Sequence, residues 1–95
     1  MTERDDAVGP VLRAGDLSSA IVDALASAYP DLVVVERGSY LRVLAPSPCV
    51  LHAHAVEART GQTFRLPLDL ERVMVSFRGR LRISDREATW EVGHG

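Results

Sequence analysis

The sequence predicts an α+β fold: a single compact domain in which a mostly antiparallel sheet carries two to three helices. Three observations point there. The chain has 95 residues, 46% hydrophobic and 25% charged, which is enough for one core and too little for two. Apolar residues repeat every three or four positions over 17–28, the period of one helix face. Elsewhere, β-branched or alternating runs come in neighbouring pairs joined by short turns, at 32–44 and 81–92, as antiparallel hairpins require. The order that results is β-α-β-β-α-α-β-β, with 1–7 as a mobile N-terminal arm and 8–95 as the domain.

Residues 1–7 are polar and lack apolar periodicity, so order is expected to begin at Val8-Gly9-Pro10. Val11, Leu12 and Arg13 suit a brief strand. Ala14-Gly15-Asp16 suits a turn with Asp16 as N-cap, its carboxylate accepting from the free N–H groups of the next turn. Leu17, Ile21, Ala24, Leu25 and Ala28 then share a helix face, with Ser18, Asp23 and Ser27 largely off it and Pro30 ending the pattern. The continuous run Leu32-Val33-Val34-Val35 reads as a strand covered on both faces. It turns at Arg37-Gly38-Ser39 into Tyr40-Leu41-Arg42-Val43-Leu44. Pro46 and Pro48 lack the N–H that a ladder needs, so a bend or bulge precedes Cys49-Val50-Leu51, where the strand resumes or stops. Residues 52–60 favour a helix, with Gly61 placed for a left-handed C-cap. Leu66, Leu70, Val73, Met74 and Phe77 share a helix face with Pro67 in its first turn, although Val73-Met74-Val75 would also suit a strand. Finally, Leu81 and Ile83, then Ala88, Trp90 and Val92, alternate with polar residues around a turn near Asp85-Arg86, closing the domain with a hairpin.

A net charge of -2 and a pI near 5.8 speak against nucleic acid, whose binders carry a positive surplus. All eleven basic residues are arginine, a pattern that codon bias explains more readily than an interface does. The longest apolar run falls short of the roughly 18 residues of a membrane-spanning helix, and the acidic first residues do not resemble an export signal. Cys49, alone, cannot form an intramolecular disulfide. A cytoplasmic, soluble protein is expected.

Little in the chain suggests chemistry of its own. His52 and His54 are the only paired candidate metal ligands. On a helix they diverge by about 200°, on a strand they share a face, and either way a tight site needs a further His, Cys or carboxylate. Solvated surface histidines are the simpler reading; His94 stands apart beside the C-terminus. No nucleophile-elbow or oxyanion-hole pattern surrounds Cys49 or any serine, and the scattered single glycines form neither a phosphate loop nor a dinucleotide fingerprint. No catalytic residue, metal or cofactor is therefore expected. Arg78, Arg80, Arg82 and Arg86 surround Phe77. They form either a stripe for an acidic partner or a solvated strand face neutralised by Asp85, Glu87 and Glu91.

The run Val8-Gly9-Pro10-Val11-Leu12-Arg13-Ala14-Gly15-Asp16-Leu17 resembles the start of effector proteins from bacterial soluble diiron multicomponent monooxygenases, the toluene and alkene branch above all. Glu36-Arg37-Gly38-Ser39-Tyr40-Leu41-Arg42-Val43 resembles that family's central hairpin, and Gly61-Gln62-Thr63-Phe64 its helix-ending glycine and following aromatic. Ser76-Phe77-Arg78-Gly79-Arg80-Leu81 resembles its approach to the last hairpin. The blocks run in order over nearly the whole chain. Leu66-Pro67-Leu68-Asp69 departs from the pattern with an extra residue and a proline, and 1–7 is shorter than the arm of the methane branch. The resemblance implies a cofactor-less regulatory protein that docks on the large hydroxylase subunit above its diiron centre and couples oxygen activation to substrate oxidation. The iron would be the partner's. The expected contact surface is Gly9, Pro10 and Arg13, then Tyr40 and Arg42, then Ser76, Phe77 and Arg78, with Trp90 in the core and a monomer as the free state. The rival readings are a small α+β interaction or ligand-binding adaptor and, third, a small hydrolase.

Overall fold

The computed structural model describes residues 6–93, so most of the expected arm, and His94, lie outside the described residues. Along them run β1 (Gly9–Arg13), α1 (Asp16–Ala28), β2 (Val33–Arg37), β3 (Tyr40–Leu44), β4 (Cys49–His52), α2 (Ala53–Thr60), α3 (Leu68–Glu71), β5 (Met74–Arg78), β6 (Arg80–Ile83) and β7 (Glu87–Glu91). The α+β class and the expected succession hold, with β4 and β5 added within it. Asp6 is exposed, but Ala7 is already buried. Val8 exchanges two backbone hydrogen bonds with Ala45, 2.9 and 2.8 Å, and so anchors the chain as it enters the first strand.

All strand pairs are antiparallel, in two sheets ordered β2-β3-β1-β5 and β4-β7-β6. The two expected hairpins are β2/β3 and β6/β7, closed at Arg37↔Tyr40 and Ile83↔Ala88. One residue, Gly79, separates β5 from β6, so the chain steps from the first sheet to the second there. A Cβ on Gly79 would stand 2.7 Å from the Glu91 carbonyl oxygen and 2.8 Å from Val8 Cγ1, at a φ of +102°. Only glycine fits such a crossing.

The core gathers Leu12 and Val43 from the first sheet, Leu51 and Trp90 from the second, Ile21 and Leu25 from α1 and Val56 from α2, with Phe64 and Leu70 closing it from the following segment. All are buried. At full burial, residues of this size contribute roughly 1.5–3 kcal/mol each relative to exposure, which is what holds so small a domain together.

Local expectations met four corrections. Asp16 is the first helical residue rather than the cap; Gly15 occupies the N-cap position and no side chain caps the helix. Instead the buried Ser18 hydroxyl donates to the Arg13 carbonyl oxygen, which draws Ser18 onto the inner face, while Ala28 is exposed. The valine run does not form a doubly covered strand: β2 is the sheet's edge and Val33 is 53% exposed, since β-branching favours the pleat whether or not the strand is buried. The helix expected through Phe77 ends after one turn at Glu71, and 74–78 pairs with β1 as a strand. Gly61 does end α2 in the left-handed conformation, φ 72°, its N–H donating to the Glu57 carbonyl at 2.8 Å.

Candidate partner interface

Strand alternation gives the first sheet two unlike faces. Leu12 and Val43 point into the core, while Val11, Arg13, Tyr40 and Arg42 take the intervening positions on the other side. Residues directly opposite one another across strands share a face. The register therefore sets Arg37, Tyr40 and Arg13 in one row and Val35, Arg42, Val11 and Ser76 in the next, with Arg78 opposite Gly9. A bulge between Val11 and Leu12 leaves Val75 unpaired and turned to the same side. Here Val11, Arg37, Tyr40, Arg42 and Val75 line a shallow groove of about 270 Å³.

Backbone contacts hold this face in place. Arg13 N–H donates to the Val73 carbonyl at 2.8 Å, Ala14 N–H to the Ser39 carbonyl at 2.7 Å, and the Ser18 hydroxyl to the Arg13 carbonyl, tying β1 to the central hairpin and to the lead into β5. None of the residues in these rows is acidic, since Glu36 alternates to the opposite side. Among the described residues, no carboxylate pairs with Arg13, Arg37 or Arg42.

Five of the eight expected contact residues, Arg13, Tyr40, Arg42, Ser76 and Arg78, meet on this face. The other three do not. Gly9 and Pro10 are buried, and a Cβ on Gly9 would lie 2.5 Å from the Val43 carbonyl oxygen, so this stretch shapes the sheet. Phe77 pairs with Pro10 and so points to the opposite side, hanging 42% exposed from the edge strand. Val11, Arg37 and Val75, which the sequence reading did not single out, line the same groove.

The other candidates resolve differently. Arg82 Nε lies 2.9 Å from Glu91 Oε2 and Arg86 2.8 Å from Glu57 Oε1, so these two members of the stripe on the last hairpin are neutralised within the molecule. Glu57 also accepts the Phe64 N–H at 2.8 Å; the Arg86 hydrogen bond first, and this backbone donor second, hold its carboxyl below the ordinary value. His52 Nδ1 sits 3.5 Å from Glu87, with the His54 ring 5.4 Å away, but no group of three or more His, Cys, Asp or Glu among the described residues is placed to hold a metal ion. Burial pushes the Cys49 thiol up to about 12, far from a nucleophile's range. A wider groove of about 860 Å³ lies beside α1 and α2, between Asp16, Arg59, Phe64 and Arg72, and no histidine, cysteine or serine lines it.

Known proteins resemble this chain over most of its length. It is 40% identical over 88 residues to the effector subunit of an alkene monooxygenase system from Xanthobacter autotrophicus, spanning 90% of this chain and 86% of that one. Its fold matches a chain in a solved structure of a phenol hydroxylase–regulatory protein complex with a TM-score of 0.80 and 17% identity, over 92% of this chain and 98% of that one. Residues 6–91 match the MmoB/DmpM family, and with nearly its whole length so accounted for, the chain belongs to that family.

Proposed function

We propose that this protein is the cofactor-less regulatory and coupling component of a multicomponent hydrocarbon monooxygenase, of the toluene, alkene or isoprene type, and that it binds the large subunit of a diiron hydroxylase in the cytoplasm. The observation that carries this reading is the 40% identity to an alkene monooxygenase effector subunit over 90% of the chain. The open sheet face supports it. Arg13, Tyr40 and Arg42 are placed by strand register rather than by mobile loops, so little order has to be imposed on them at docking. A lone buried thiol also suits a reducing compartment.

A protein of this kind regulates by differential binding. It acts to the extent that it holds the reactive state of the hydroxylase more tightly than the resting one, and a coupling of about 1–3 kcal/mol shifts their ratio roughly 5- to 150-fold. No side chain of the regulator has to move a proton; the iron and the oxygen chemistry are the hydroxylase's. The test is steady-state oxidation of toluene, isoprene or a short alkene by a matching hydroxylase and its reductase, with and without this protein, scored as product formed per NADH consumed. A rise in rate and in coupling is expected. No change at saturating protein, with a hydroxylase that responds to its own effector, refutes the reading.

A further inference from the structure

Five arginines of the helical side and the last hairpin are partnered within the molecule, since Arg65 and Arg72 flank Asp69, Arg82 meets Glu91, Arg86 meets Glu57, and Arg59 donates to Ser27 and to the Ala55 carbonyl, while Arg80 on β6 pairs with no carboxylate among the described residues. On the outer face of the first sheet, Arg13, Arg37 and Arg42 meet no carboxylate among the described residues, although the chain as a whole is acidic at -2. The same face holds Val33, Tyr40 and Val75, three of the chain's large hydrophobics that remain 43–53% exposed. Unpaired guanidinium groups around an exposed aromatic and an apolar groove make up the composition of an interface centre.

Resting on the regulatory reading above, we infer that this groove is the centre of the docking surface and that its occupant is a carboxylate-rich patch of the hydroxylase subunit. One apolar side chain of that patch enters between Val11, Tyr40 and Val75. Arg37 and Arg42, at the groove's wall, engage flanking carboxylates, because a planar guanidinium forks onto a carboxylate with two parallel hydrogen bonds. Arg13, in the row of Arg37 and Tyr40, extends the positive field along the face and steers the approach. Arg37 thereby becomes a specificity residue of the central hairpin.

The test is the association rate and affinity of Arg13→Glu, Arg37→Glu and Arg42→Glu for the purified hydroxylase at low and high salt, with Arg72→Glu as the control of equal charge change off the face. Melting temperatures confirm that each variant folds. At low salt each face variant should associate about tenfold or more slowly than wild type and the control within about twofold, and the difference should shrink as salt screens the field. Tyr40→Ala should act on dissociation instead, raising the off-rate about tenfold or more. If Arg37→Glu and Arg42→Glu associate like wild type while wild type still raises product yield, the face is not the docking surface, and the regulatory reading survives without it. If wild type neither binds nor activates a hydroxylase that responds to its own effector, the regulatory reading fails and this inference with it. Retention of wild type on single-stranded DNA, lost in the same variants, would assign the face to phosphate and overturn the carboxylate partner.

Discussion

Gly79→Ala tests the joint between the two sheets. At φ +102° an L residue is strained, which costs about 1–3 kcal/mol. The new methyl would also lie 2.7 Å from the Glu91 carbonyl oxygen and 2.8 Å from Val8 Cγ1, and since one of these is backbone and the other a fully buried side chain, relief requires shifting β7 or the start of the domain. Overpacking of this sort costs about 1–3 kcal/mol more. The expected total, about 2–6 kcal/mol, is a large share of the roughly 5–14 kcal/mol that a chain of this length has to lose. Gly38→Ala supplies the contrast: φ is +61°, yet nothing lies within 4 Å of the added Cβ. Its cost is then about 1–2 kcal/mol of backbone strain, reduced by about 0.4–1 kcal/mol through the stiffer unfolded chain. By scanning calorimetry, Gly79→Ala should melt at least about 8 °C below wild type, with Gly38→Ala close to it. Equal melting points for the two variants would refute the account of the crossing.

Three further outcomes rest on Trp90, Glu57 and Cys49. The Trp90 indole N–H is buried without a partner among the described residues, so Trp90→Phe, which removes that donor, should change stability by less than about 1.5 kcal/mol while Trp90→Ala costs about 3–5 kcal/mol; similar losses in urea melts would mean the N–H is bonded after all. Arg86, and then the Phe64 N–H, lower the Glu57 pKa, so the stability this carboxylate contributes is present above the ordinary value of 4.5 and lost as pH falls through the folded value; Glu57→Gln should melt lower at pH 7 with the gap to wild type closing in acid, and a gap independent of pH would contradict it. Burial raises the Cys49 pKa from 9.0 to about 12, so above pH 9 the unfolded chain gives up a proton that the folded one keeps, and stability falls by up to about 1.4 kcal/mol per pH unit across that window. Cys49→Ala should flatten this alkaline limb. The native thiol should resist maleimide until urea unfolds the chain, and rapid labelling of the native protein would show it to be accessible.

What the sequence discloses here depends on whether the deciding contact is local. α1 is readable because Ile21, Ala24 and Leu25 return at the helical period, and both hairpins because their strands are neighbours in the chain. β5 is not, because Met74, Ser76 and Phe77 become a strand only by pairing with β1, more than sixty residues earlier, while their own spacing fits a helix equally well. Ser18 is drawn inward by a carbonyl five residues away across a turn, which no periodicity reports. The contact surface divides along the same line. Tyr40 and Arg42 stand out within one strand, and Arg37 was within reach, since residues flanking a two-residue turn face each other and therefore share a side. Val75 was not, because a bulge decides its direction. In the last hairpin Glu91 was a visible partner for Arg82, whereas Glu57, which claims Arg86, lies on α2.

The placement of charge and irregularity bears on how the proposed surface would be read by a partner. The first sheet ends in β2 and β5, and an open edge is an invitation to main-chain pairing. Both edges are made awkward for it: β2 closes with Glu36 and Arg37, and β5 carries the bulge at Val75. Among the described residues, no carboxylate pairs with Arg13, Arg37 or Arg42 on the face between them. Recognition through main-chain edges would depend little on side-chain identity, and any strand-forming protein could compete for it. Recognition through this face would depend on which side chains the register brings together, so that on the proposed docking Arg37, Tyr40 and Arg42 would select a partner, while Trp90, Leu12 and Gly79 hold the frame behind them. Because the two sets share no residue, changes in partner choice can accumulate on the outer face at little cost to folding, whereas changes at the joint between the sheets cannot.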